Sequence, residues 1–171
     1  TYECGASKTW NKTPSLTIPA IKLDGVNDYI QVDIADNALD FGTGSFTISL
    51  WVKTTETDNA MLFNAYTDNG YIWLLNGVIR ARFSRDGANP LLTGSTIIND
   101  GVWHHVVVAL NAPLSTLSIY VDGVLDISSE DNTYYGANTN DFGTNFRIAQ
   151  HTSSGALWYR YDGQIANLAI W

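Results

Sequence analysis

From Ile21 onward the chain alternates between apolar and polar residues with a period of two. Ile30, Val32 and Ile34 are separated by Gln31 and Asp33. Phe46, Ile48, Leu50 and Val52 alternate with Thr47, Ser49, Trp51 and Lys53, and Leu117, Ile119 and Val121 repeat the pattern. Successive side chains leave a strand on opposite sides, so this period predicts strands with one buried face. Strands are predicted over residues 29–34, 46–53, 60–66, 71–75, 78–83, 117–121, 124–127, 146–150 and 164–171. Residues 102–110 are apolar on both faces and predict a central strand, with Trp103 as its core anchor. Asn76-Gly77 and Asp122-Gly123 are two-residue hairpin turns. No apolar 3.6 period persists with capping residues over three turns, and no internal repeat is present. Strands recurring about every 8–12 residues with turns between them predict a sandwich or a barrel.

Three stretches depart from the alternation. Residues 1–20 are polar, contain Pro14 and Pro19, and read as an arm or linker. Residues 128–145 are rich in Asn, Asp and Gly around Tyr134-Tyr135, and residues 151–162 run from a Ser/Gly lead-in to Trp158, Tyr159, Arg160 and Tyr161. Loops this long in a compact domain usually carry function.

Composition narrows the function classes. The 171 residues fit one domain, residues 21–171, and the 14 glycines supply the turns of an all-β protein. A formal net charge of −8 argues against nucleic acid as a partner, and no apolar run has the length needed for membrane insertion. Cys4 is the single cysteine, so no intramolecular disulfide can form.

Particular motifs then resemble a known family. Leu23-Asp24-Gly25-Val26-Asn27-Asp28-Tyr29-Ile30 is followed by Phe46-Thr47-Ile48-Ser49-Leu50-Trp51-Val52-Lys53. Trp103-His104-His105-Val106 precedes Leu117-Ser118-Ile119-Tyr120-Val121-Asp122-Gly123, and the chain ends Asp162-Gly163-Gln164-Ile165-Ala166-Asn167-Leu168-Ala169-Ile170-Trp171. In order and spacing this resembles the laminin-G-like domains of the concanavalin A-like lectin and glucanase superfamily. The resemblance implies a two-sheet antiparallel jelly-roll sandwich. It leaves function open, because the superfold serves lectins, adhesion modules, pentraxins, hydrolases and virion proteins.

Hydrolases on this fold use a Glu-x-Asp-x-x-Glu cluster along one strand. Here Glu3, Glu56 and Glu130 are the only glutamates and none lies in that pattern. No Gly-x-Ser-x-Gly motif or zinc-ligand spacing is present, so the chain is expected not to be an enzyme. His104 and His105 must point to opposite sheet faces and are expected to be packed or edge histidines. Calcium takes six to eight oxygen ligands. Asp68-Asn69 resembles the first half of a pentraxin calcium site, although the second half reads His151-Thr152-Ser153. A structural calcium is also expected where the first and last strands meet, at Asp24, Asp28 and Asp162.

Sugar recognition combines an aromatic ring, which covers the C–H face of a pyranose, with polar groups for its hydroxyls. Trp158, Tyr159 and Tyr161 with Arg160 offer that combination, and Tyr134 and Tyr135 offer a second. Arg80 and Arg82 share a strand face and could grip a sulfate or carboxylate. Tyr66, Tyr71 and Trp73 surround the Asp68-Asn69 turn, Tyr71 and Trp73 sharing a face, and at least one of the three is expected in the core. The reading that follows is a non-catalytic carbohydrate-binding or adhesion module of an extracellular or surface protein, with a glycan or a surface protein as partner. The alternative is a structural protein of a virion (a decoration or fibre domain) or of a surface filament; in either case a homo-oligomer is a candidate partner state.

Overall fold

The computed structural model describes residues 19–34, 39–65, 70–83, 91–114, 116–130, 143, 145–151 and 159–171. They form twelve strands and, among the described residues, no helix. The strands are β1 Ile21–Asp24, β2 Ile30–Asp33, β3 Phe46–Lys53, β4 Ala60–Ala65, β5 Gly70–Leu75 and β6 Val78–Phe83. They continue with β7 Leu91–Thr93, β8 His104–Asn111, β9 Thr116–Val121, β10 Val124–Glu130, β11 Asn145–Ile148 and β12 Asp162–Ile170. Two six-stranded sheets result, ordered β1-β12-β3-β8-β9-β10 and β2-β11-β4-β5-β6-β7, and every pairing is antiparallel. This is the jelly-roll sandwich.

The predicted alternation builds the core. Ile48, Leu50 and Val52 of β3 and Val106 and Val108 of β8 face Leu62, Phe63, Ile72, Leu74 and Ile79 of the other sheet, all fully buried. Phe46 of the first sheet meets Phe83 of the second edge-to-face at 4.9 Å, the favoured geometry for two aromatic quadrupoles. Both hairpin turns have positive φ at both central residues: 50° and 83° at Asn76-Gly77, 52° and 79° at Asp122-Gly123. Such primed turns match the twist of the strands they join.

A bulge at Asp126 in β10 ties the two sheets together at one edge. The register shifts between Leu125 and Ile127, and the Asp126 carboxylate accepts hydrogen bonds from the backbone N–H and the hydroxyl of both Ser95 and Thr96, at 2.9–3.4 Å. Gly94 makes this possible, since a Cβ there would collide with Asp126 Oδ2.

Trp103 corrects the sequence expectation. It is only half-buried and precedes β8, while His104 occupies the inward position opposite Val52. The imidazole is tolerated there because both nitrogens meet carboxylates: Nδ1 lies 2.7 Å from Asp122 and Nε2 3.1 Å from Asp100. Burial pulls the His104 pKa down, but the hydrogen bonds to Asp122 and Asp100 outweigh it, and the net shift is upward.

Candidate ligand-binding face

The outer face of the second sheet gathers the chemistry. On β5, Ile72 and Leu74 point into the core, so Tyr71 and Trp73 point outward. On β6 the same alternation sends Ile79 and Ala81 inward and Arg80 and Arg82 outward. The Asn76-Gly77 turn fixes the register, setting Trp73 opposite Arg80 and Tyr71 opposite Arg82. Each guanidinium lies over its partner ring, at 5.6 Å for Arg80 on Trp73 and 5.5 Å for Arg82 on Tyr71. Contacts of this kind contribute about 0.5–1 kcal/mol at exposed sites and more when desolvated.

Pairing with distant strands extends the array across the sheet. Gln31, Arg147, Asn64, Tyr71 and Arg82 form one transverse row through β2, β11, β4, β5 and β6. Met61, Trp73, Arg80 and Thr93 form the next row. Arg147 donates Nε to Gln31 at 3.1 Å and Nη1 to Gln150 at 3.3 Å, and its guanidinium covers the ring of Tyr29 at 5.0 Å. Arg80 donates Nε to the Thr93 hydroxyl at 2.8 Å.

Tyr159 closes one end of the array. Its ring packs on Trp73 at 5.4 Å and approaches His151 at 6.2 Å, while its carbonyl accepts the Met61 N–H at 2.7 Å. Tyr159 and Ala149 have φ of 61° and 69°. A bulky residue in the left-handed region is an outlier of the kind that clusters at ligand sites. The Nε1 of Trp73 and the Nε of Arg160 are shielded from solvent and have no hydrogen-bond partner among the described residues.

The predicted site residues divide accordingly. Arg80, Arg82 and Tyr159 belong to this face, and Arg160 adjoins it. Tyr161 does not: it is fully buried in the inter-sheet core, its hydroxyl lying 3.2 Å from the carbonyls of both Lys53 and Gln164. Burial pushes its phenol well above the ordinary tyrosine range. Tyr71 is buried, as expected of at least one of Tyr66, Tyr71 and Trp73, although it packs outside the inter-sheet cluster; Trp73 is half-buried, and Tyr66 lies outside the described residues. Trp158, Tyr134, Tyr135, Asp68 and Asn69 lie outside the described residues.

Two of the expected calcium ligands, Asp24 and Asp28, accept backbone N–H groups in the turn after β1. Asp24 pairs with Asp162 across β1 and β12, but the Asp24 carboxylate accepts the N–H groups of Val26 at 2.8 Å and Asn27 at 3.2 Å. These bonds hold its carboxyl below the usual aspartate range. Asp28 in turn accepts the Asp24 N–H at 3.1 Å. Among the described residues no group of three or more acidic, His or Cys side chains is placed to share a metal ion. On the outer face of the first sheet, Ser49 Oγ and His105 Nε2 are 2.7 Å apart, but among the described residues no carboxylate pairs with that imidazole.

A laminin-G-type family model, described as the concanavalin A-like lectin/glucanases superfamily, matches residues 24–171. The chain belongs to that superfamily. The chain is 30% identical over 126 residues to the non-toxic nonhemagglutinin of Paraclostridium bifermentans. That match covers 68% of this chain and 10% of the relative, so the chain spans about a tenth of that protein. Domains LG4-5 of the mouse laminin alpha1 chain superpose with a TM-score of 0.70 at 15% identity, covering 88% of this chain and 41% of that one. The CBM40 of the Ruminococcus gnavus IT-sialidase, bound to alpha2,3 sialyllactose, superposes with a TM-score of 0.61 at 15% identity, covering 83% and 91%. At these identities the structural likeness is one of fold. Sequence reasoning missed Arg147 and Gln31, whose outward positions on β11 and β2 were legible but whose adjacency to β4 and β5 was not.

Proposed function

We propose that this domain is a non-catalytic carbohydrate-binding module of an extracellular or surface protein, and that it binds glycan on the outer face of the second sheet. The observation that carries the reading is the half-buried Trp73, with Arg80 laid over its ring, Tyr159 against it and the buried Tyr71 backing it at 4.9 Å. Aromatic faces pack on pyranose C–H faces, and guanidinium donors serve ring hydroxyls or acidic substituents. Superfamily membership and the fold likeness to a carbohydrate-binding module agree with this reading.

A glycan array probed with the wild-type domain and with Trp73→Ala tests it. Trp51→Ala serves as the control, since Trp51 stacks on His105 at 5.0 Å on the outer face of the other sheet. The expected result is binding that Trp73→Ala removes and Trp51→Ala leaves intact. Equal loss from both variants would move the site elsewhere.

A further inference from the structure

The arginines of this face say more than that it binds sugar. The chain has 17 acidic and nine basic residues, yet among the described residues Arg80, Arg147 and Arg160 form no ion pair with a carboxylate. The partners they do have are neutral. Arg80 donates to a threonine hydroxyl, and Arg147 donates to two glutamine side chains. Neutral acceptors fix a guanidinium in place without compensating its charge. A guanidinium has five N–H donors, so among the described residues the single bond from Arg80 and the two from Arg147 leave both with donors to spare. Arg160 keeps its Nε out of solvent and, among the described residues, unbonded.

We propose that the ligand is an acidic saccharide, its carboxylate or sulfate held by Arg80 while its ring packs on Trp73, with Arg147 as a second contact across the face. The inference rests on the saccharide reading above and narrows it to a charge class. Desolvation decides between acidic and neutral ligands. A neutral sugar laid on this face would cover guanidinium charges without pairing them, which is unfavourable. A carboxylate or sulfate turns the same burial into forked, charge-assisted hydrogen bonds. Arg80 and Arg147 are three strand spacings apart, about 14 Å across the sheet, so an oligosaccharide rather than a monosaccharide spans both.

The test is an array of matched pairs, each neutral oligosaccharide beside its sialylated, uronate-bearing or sulfated counterpart. The wild type should prefer the acidic member, and the identity of the preferred acid separates carboxylate from sulfate recognition. Arg80→Gln and Arg147→Gln should each weaken acidic binding by about 10- to 100-fold, the scale of a hydrogen bond to a charged group. Melting temperatures establish that the variants fold, and Arg147→Lys, which keeps charge but loses the fork, should recover only part of the affinity. A readout needing no variant is salt: binding by the wild type should weaken as ionic strength rises. Equal binding to both members of each pair, or acidic binding that survives both Gln variants, overturns the proposal while leaving the saccharide reading standing. No binding to any glycan overturns both.

Discussion

Tyr159 and Tyr161 are two residues apart, yet the structure gives them opposite duties, and substitution should separate them cleanly. Tyr161 is fully buried between the sheets. Truncating a buried aromatic to alanine costs about 3–5 kcal/mol, transfer and cavity together. At about 2–4 °C per kcal/mol for a chain of this size, Tyr161→Ala should lower Tm by roughly 6–20 °C. Tyr161→Phe keeps the ring and loses only the hydroxyl that serves the Lys53 and Gln164 carbonyls, a loss of about 1 kcal/mol, or roughly 2–4 °C. Tyr159 is half-exposed and contributes mainly its ring contact with Trp73, worth about 0.5–1.5 kcal/mol. Its φ of 61° offsets part of even that, so Tyr159→Gly should be no less stable than Tyr159→Ala. Thermal denaturation followed by glycan titration of the folded variants reads both effects. Tyr159→Ala should keep most of its Tm and lose affinity, and Tyr161→Ala should do the reverse. Equal destabilisation by the two alanine variants would refute the division of labour.

Asp126→Ala should cost about 2 kcal/mol, because it strands the Ser95 and Thr96 donors at the sheet edge. Gly94→Ala should be damaging in the wild type, where its Cβ meets the carboxylate, and much milder in the Asp126→Ala background; additive Tm losses would contradict that coupling. Because the His104 pKa is raised, its stabilisation is complete below about pH 6.5 and is lost as pH rises through the native value. Tm should therefore fall as pH rises above about 6.5, and His104→Gln should flatten that slope. The carboxylates of Asp100 and Asp122 have lowered pKa values, so their share persists above about pH 4 and fades only in stronger acid.

The strands were legible because period-two alternation is a local signal, and the two hairpins because Asn-Gly and Asp-Gly supply the positive φ of a primed turn. Once Asn76-Gly77 is read as such a turn, the facing pairs Trp73 with Arg80 and Tyr71 with Arg82 follow by counting outward from it. β7 was not legible: Leu91–Thr93 is three residues long, too short to display a period. Nor was the exchange of Trp103 for His104. Hydropathy favours tryptophan for the core, and the imidazole enters only because Asp100 and Asp122 converge on it. Arg147 reaches Asn64 through the pairing of β11 with β4, segments far apart in the chain whose register depends on tertiary packing. Tyr161 sits in a run of aromatic and polar residues whose pattern gives no sign that the chain there turns into the core.

The central claim, that the Trp73–Arg80–Arg147 face of the second sheet is the ligand site, is tested most directly by a crystal structure with the tightest-binding array glycan bound. The account predicts a sugar ring in van der Waals contact with Trp73 and an acidic oxygen within hydrogen-bonding distance of Arg80. A glycan seated against Trp51 and His105 on the opposite sheet, or touching none of Trp73, Arg80 and Arg147, would contradict it.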